Sequence, residues 1–377
     1  MPGEPTSLPP SEASRPARHY PALDGLRGVA ILAVFVSHFG GGHKSTNFIV
    51  HLWSRFADAG WMGADLFFVL SGFLITGILF DTAHRPHRAR NFYARRALRI
   101  FPLFYGVLFA ILLLTPVLGI HWQAGHLLHF LYLSNMVSVL APGLPPLSAG
   151  VSLIYLWSLA VEEQFYLLWP FVVWSLKDRR TLLRVSIGIM ICTLLLRIIL
   201  VSRGVELPIV YTLLVTRADS LISGSALALL VRGPAAETLP VRWLLPISGV
   251  SVLSVFALVG TTVYISPLTS TVGYTFVAIF CTCLVYLALQ SRGLVVRIAS
   301  QRWLGFFGRY SYGLYIFHGL LVTSVLPLVY PIQRLVGSVF FGGILTLLMS
   351  LALSLALAMM SYHCFEAPIL RLKRRFT

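Results

Sequence analysis

Two residues in the stretch LDGLRGVAILAVFVSHFGGG (23–42) stand out from apolar surroundings: Arg27 and His38. Eleven residues of helix turn through about 1,100°, within about 20° of three full turns, and rise about 16 Å. Both side chains therefore lie on one face, one near each end of the segment. A histidine titrates close to neutral pH and can take a proton from a hydroxyl. An arginine fork matches the oxygens of a phosphate. Together they would suit an elongated anionic substrate with its charged head at Arg27 and its reacting end at His38. The plainer reading of the same pair is an interface anchor and an interior histidine with satisfied partners.

Other ionisable residues sit in equally apolar settings, where the default explanation is functional. LWSLAVEEQFYLLWP places Glu162 and Glu163 side by side. Adjacent helical positions differ by 100°, so at least one carboxylate must face inward, where it would be protonated or paired with a base such as His38. WMGADLFFVLSGFLIT holds Asp65, at a depth close to His38, and a Ser71-Gly72 step that permits close helix approach. TRADSLISGSALALL holds Arg217 and Asp219, either a pair with each other or partners for other segments. GRYSYGLYIFHGLL holds Arg309 and His318. The loop HRPHRARNFYARRALR packs arginines at 85, 88, 90, 95, 96 and 99. From Phe92 onward its pattern is helical, so Arg95, Arg96 and Arg99 are expected on a shared face at a membrane edge. That density suits either anionic lipid headgroups or a polyanionic donor.

The elements that must position these residues follow from composition. The 377 residues are 57% hydrophobic and 11% charged, against about 25% charged in a soluble domain. The expected fold is an all-α polytopic integral membrane protein. Runs of about 20 apolar residues give ten spans, near 22–41, 61–81, 100–119, 155–176, 183–202, 209–231, 243–264, 269–290, 305–328 and 337–361. The net charge of +16 would suggest nucleic acid in a soluble protein. Here most of the 29 basic residues fall in alternate loops, and the positive-inside rule then puts both termini in the cytosol. No nucleic-acid partner is expected. Residues 1–19, rich in Pro, Ser and Glu, read as a disordered cytosolic tail without a cleavable signal, and 371–377 as a basic cytosolic tail. Cys192, Cys281, Cys283 and Cys364 read as buried thiols, and no metal site is expected.

Seven stretches in this order, LDGLRGVAILAVFVSHF, GADLFFVLSGFLIT, FYARRALRIFPLFY, LWSLAVEEQFYLLWP, TRADSLISGSALAL, YSYGLYIFHGLL and FEAP, resemble the bacterial membrane acyltransferase-3 family. The resemblance runs from about residue 20 to 370, the expected transmembrane domain. It implies transfer of an acyl group, usually acetyl, from cytosolic acyl-CoA to a hydroxyl of a surface glycan, a lipid-linked sugar or another glycosylated molecule. It implies a multi-pass protein of the bacterial inner membrane. It also implies an essential Arg27 and His38, donor handling by Arg95, Arg96 and Arg99, and a role for the Glu pair. Trp157, Arg217, Asp219 and His318 are the expected substrate-binding residues. Where many relatives have a histidine or another polar residue before LWSL, this chain has Tyr155. The chain ends seven residues after Leu370, in the manner of members without an appended hydrolase-like domain.

On this reading CoA's phosphates lie at Arg27 and the 95–99 arginines, and the thioester reaches His38. His38 acts as general base or becomes acylated itself, and Glu162, Glu163 or, as second choice, Asp65 orients it. A small glycosylated metabolite such as a macrolide is the alternative acceptor. A secondary transporter is the rival from another class, since intramembrane charges also mark transport pathways. That rival calls for an internal symmetry that the sequence does not show.

Overall fold

A computed structural model describes residues 20–40, 47–148, 150–234 and 240–376. The expected tail 1–19 lies outside the described residues. Arg371–Arg375, from the expected basic tail, form a tight helical turn.

The long helices are α1 (Pro21–Phe39), α2 (Phe48–Asp58), α3 (Met62–Asp81), α4 (Arg88–Leu113), α5 (Trp157–Leu176), α6 (Arg179–Ser202), α7 (Leu214–Leu230), α8 (Val241–Val259), α9 (Tyr274–Ala288), α10 (Arg302–Val336) and α11 (Val339–Ser361). Among the described residues, eight helical stretches are long and apolar enough to cross a bilayer. The bent α10 adds another: its two arms, Arg302–Val325 and Pro327–Val336, meet at 70°, where Pro327 removes a backbone donor. Helix α5 has the length, 20 residues or about 30 Å, but Glu162, Glu163 and Gln164 lower its hydropathy. With it, the expected all-α polytopic membrane architecture is present.

Local chemistry sets the ends. Pro21 opens α1, where its missing N–H is not needed. Asn47 Oδ1 accepts from Ile49 N at 2.9 Å to cap α2. Asp178 accepts from Thr181 N at 2.7 Å to cap α6, and Gly260 closes α8 at φ 71°. Helix α2 exposes Phe48, Ile49, Leu52 and Phe56 on one side, as an amphipathic helix lying in a membrane interface would. Leu113, Leu258 and Ile247 likewise face outward from the bundle, where lipid replaces water as solvent. Cys281 and Cys283 are buried, but Cys192 and Cys364 are exposed. Lipid tolerates a thiol on a helix surface, so an apolar run does not distinguish inside from outside.

Helix α1 runs through the middle of the bundle, between α3 and α10. A Cβ on Gly28 would strike the Leu304 carbonyl oxygen, and one on Gly308 the Asp24 carbonyl oxygen, so α1 and α10 cross backbone to backbone. Helices α3 and α7 cross in the same way at Gly72 and Gly224, against the carbonyls of Leu221 and Val69. The approach expected at Ser71-Gly72 is therefore real. Between α4 and α5, residues 114–148 and 150–156 fold as short turns across one end of the bundle. They are pinned to α5 by Gln164, which exchanges two hydrogen bonds with Asn135 (3.2 and 2.8 Å) and donates to the Tyr132 carbonyl at 2.9 Å.

Candidate functional site

Three cavities follow one another along α1, α5 and α10. The first, about 660 Å³, is lined by Asp24, Arg99, Arg302, Arg309, Tyr312 and Glu366 among others. The second is small, about 60 Å³, and contains Arg27, Ser71, Arg96, Arg99, Glu162 and Tyr166. Arg99 and Tyr312 line both. The third, about 630 Å³, is lined by His38, Tyr155, Trp157, Tyr211, Tyr264 and Tyr315, and is roofed by residues of the 114–156 segment. Between the second and third, Tyr315 donates to the Tyr155 carbonyl at 2.5 Å and lies 2.5 Å from Ser158 Oγ.

Arg27 and His38 thus face the same row of cavities, Arg27 in the small middle one and His38 in the large one, as their common helical face requires. The middle cavity is rich in charge. Tyr166 donates to Glu162 Oε2 at 2.9 Å and touches Ser71 Oγ at 2.9 Å, while the Arg96 guanidinium lies 4.8 Å over the Tyr166 ring. Arg27 Nε is buried there without a partner. An anionic group entering this cavity would meet arginines from two helices, α1 and α4.

His38 has aromatic neighbours. Its ring lies 4.9 Å from Tyr155, edge-on, and 5.2 Å from His318. His38 Nδ1 and both ring nitrogens of His318 are buried without a hydrogen-bond partner. Among the described residues, none of the carboxylates expected to orient His38 is hydrogen-bonded to it. Glu162 sits with the arginines, Glu163 leaves Oε1 buried and unpartnered, and Asp65 is bound elsewhere. Counting residues from the membrane surface puts His38 and the Glu pair in one layer. In the fold His38 meets Tyr155, seven residues before Glu162, a stagger of about 10 Å along a helix.

Four charges form a separate group behind the third cavity. Arg217 donates to Asp65 Oδ1 at 2.6 Å, Ser220 donates to the same oxygen at 2.6 Å, and Arg197 donates to Asp219 Oδ2 at 2.7 Å. All four ionic side chains are fully buried and none lines the three cavities. Arg217 and Asp219, expected to bind substrate, are thus placed in this buried group and outside the three cavities. Two positions apart on a helix means 200°, so the two point to opposite sides of α7 and each finds a partner on another span. His318 likewise lines none of the three cavities and reaches the site through ring contacts with His38, Tyr155 and Tyr315, whereas Trp157 does line the third cavity.

Arg96 and Arg99 face the cavities, but Arg95 is exposed and lines none of them. Helical period does not separate the three, since Arg95 lies about 40° from Arg99 and Arg96 about 60° on the other side; the packing around α4 is what leaves Arg95 exposed. Sequence reasoning passed over Arg302 and Tyr312. Positions 302, 305, 309 and 312 repeat at helical spacing along one face of α10, a signal that was available. It also passed over His126, His129 and Ser134, whose segment has no helical period to read.

The sequence profile of a family described as an acyltransferase domain matches residues 20–363. The chain belongs to this acyltransferase family. It is 29% identical to the peptidoglycan O-acetyltransferase OatA of Listeria monocytogenes, over 93% of this chain and 56% of that protein. It is 29% identical to the putative peptidoglycan O-acetyltransferase YrhL of Bacillus subtilis (93% and 55%) and 27% to the O-acetyltransferase OatA of Staphylococcus aureus (93% and 57%). The chain spans a little over half the length of these curated relatives. No solved structure matches it.

Proposed function

We propose that this acyltransferase-family protein is a membrane O-acyltransferase that moves an acyl group, most simply acetyl, from acyl-CoA to a hydroxyl of a cell-envelope glycan. The observation that carries the reading is the row of cavities. An arginine-lined chamber, a small charged cavity and a large aromatic chamber holding His38 lie one after another along α1 and α10. Arg99, Arg302 and Arg309, with Arg27 and Arg96 at the small cavity, would hold the phosphates of CoA. The thin pantetheine arm would pass the small cavity and bring the thioester to His38. The positive-inside rule supports a first chamber on the cytosolic side of the inner membrane, with both termini on that side.

His38 takes the proton of the acceptor hydroxyl, or accepts the acyl group transiently. With no carboxylate on it, the adjacent His318 is the group available to hold the imidazole in place. Glu162 belongs to donor handling: with Tyr166 it sets the position of Arg96 and Arg27. The aromatic walls of the third chamber suit the flat apolar faces of sugar rings, and the relatives' names point to peptidoglycan as the glycan.

Proteoliposomes of measured orientation, given labelled acetyl-CoA and soluble peptidoglycan fragments, test this. Wild type should release CoA and label the glycan, and Arg27→Ala and His38→Ala should each lose about 100-fold or more. Turnover by His38→Ala at the wild-type rate would remove the catalytic assignment. Label accumulating inside vesicles as unchanged substrate would instead indicate a transporter.

A further inference from the structure

We propose that Ser134, with His129 as its base, is a covalent acyl-carrier site on the far wall of the His38 chamber. The inference rests on the acyltransferase reading above and adds a second nucleophile to it. Ser134 Oγ lies 2.9 Å from His129 Nδ1, both residues are buried, and both line the same 630 Å³ chamber as His38. A hydroxyl is a weak nucleophile until a base is within hydrogen-bond reach. Of other hydroxyls lining this chamber, Thr212 donates to the Pro208 carbonyl at 3.1 Å and Thr323 to the Gly150 carbonyl at 3.0 Å. These partners cannot take a proton; an imidazole can.

Two further observations fit a chemical role better than a structural one. The segment does not need this contact to stay in place, since Asn135 and the Tyr132 carbonyl already fasten it to Gln164 on α5. His129 is also in the right state. Burial, with His126 second, lowers its imidazole to about 4, so the ring is neutral at physiological pH and has a lone pair to offer. Beside it, His126 is committed: Nδ1 accepts from Gln123 N at 2.9 Å and Nε2 donates to the Pro145 carbonyl at 3.0 Å.

The chemistry balances in two steps. Ser134 Oγ attacks the thioester carbonyl, its proton passes to His129 Nδ1, the C–O bond forms, the C–S bond breaks, and CoA leaves as the thiolate. An acceptor hydroxyl then attacks the seryl ester and gives its proton to His38. The ester C–O bond to Ser134 breaks, and Ser134 recovers its proton from His129. His38 releases its proton to solvent, the thiolate takes one up, and the sum is an ester plus free CoA. In this sequence His38 serves as the base for the acceptor, and the acyl group waits on the wall away from the donor entrance.

The test is acid-quenched, purified full-length protein incubated with labelled acetyl-CoA alone, followed by peptide mass spectrometry. Wild type should release a burst of about one CoA per protein and carry the acetyl group on Ser134. Ser134→Ala should lose both, His129→Gln should slow the burst about 100-fold, and glycan labelling in the full reaction should fall in parallel. Ser134→Cys guards against a merely misfolded segment, because it keeps a nucleophile and should hold the label in a form cleaved by neutral hydroxylamine. Wild type that labels glycan with no acetyl on Ser134, or Ser134→Ala that labels glycan at the wild-type rate, overturns the carrier and leaves the acyltransferase reading standing. Wild type that neither releases CoA nor labels peptidoglycan fragments overturns both.

Discussion

The bundle buries charge in two places, and it treats them differently. Behind the third chamber, every donor nitrogen of Arg197 is used: Nε on the Thr271 carbonyl, Nη1 on the Thr216 carbonyl, Nη2 on Asp219 and Thr275. In the small cavity and beside it, atoms are left over: Arg27 Nε, Glu163 Oε1, His38 Nδ1 and both nitrogens of His318. A satisfied ion has nothing to offer a substrate, and its removal leaves a buried partner uncompensated. An unsatisfied one weakens the fold while it waits and binds when something arrives. The same residue types are thus matched to one another in one region and, on the proposed reading, left free for chemistry in the other. Asp65–Arg217 falls between: Asp65 Oδ2 and Arg217 Nε and Nη1 lack partners, yet the guanidinium is covered by Tyr274 at 4.2 Å and Tyr211 at 5.0 Å.

Breaking the satisfied pair should have the largest effect. Arg197→Ala strands Asp219 and should destabilise the bundle by about 3–5 kcal/mol, seen as lost monodisperse protein in detergent. Arg197→Met with Asp219→Leu should recover most of that, and a double variant no better than the single would refute the architectural assignment. Arg27→Ala should do the reverse, melting as wild type while turnover drops about 100-fold. Arg27→Lys should not restore it, because an ammonium cannot reproduce the fork; a destabilised Arg27→Ala would erase the contrast between the regions.

Glu162→Gln should raise KM for acyl-CoA more than it lowers kcat, since its place is among the donor-side arginines. A kcat effect alone would move Glu162 back toward His38. Tyr315→Phe removes a hydroxyl held between the Tyr155 carbonyl and Ser158 at the wall between two chambers. It should change stability by only about 1 kcal/mol and alter the rate at which acyl groups pass, read as a changed preference between acetyl and longer acyl-CoA. The smallest effect belongs to Asp178, an exposed cap outside both regions. Its backbone bond from Thr181 holds the carboxyl below its ordinary value, so its small stabilisation is present at neutral pH and fades as pH falls through the acid range. Asp178→Asn should leave turnover unchanged, and a loss would show that the end of α6 feeds into the site.

Much of this protein was legible in its order of residues. Lipid imposes long apolar helices, so composition alone gave the all-α polytopic class and the approximate spans. Helical period alone put Arg27 and His38 on one face and grouped Arg95 and Arg96 with Arg99, without showing that Arg95 is left exposed. These are local properties, set by 1.5 Å and 100° per residue. What the residue order could not set was which side chains from different helices meet. Asp219 lies two residues from Arg217 yet pairs with Arg197, and Asp65 finds Arg217 across the α3–α7 crossing. Glu162 joins the arginines and His38 joins Tyr155 and His318 because α1 and α5 are staggered. The Ser134–His129 contact lies in a segment without a period, where only the three-dimensional path brings the two together. Depth, stagger and rotation are fixed by how helices pack, through glycines that let backbones touch and ions that must be matched. Those decide whether a buried charge is a strut or a site.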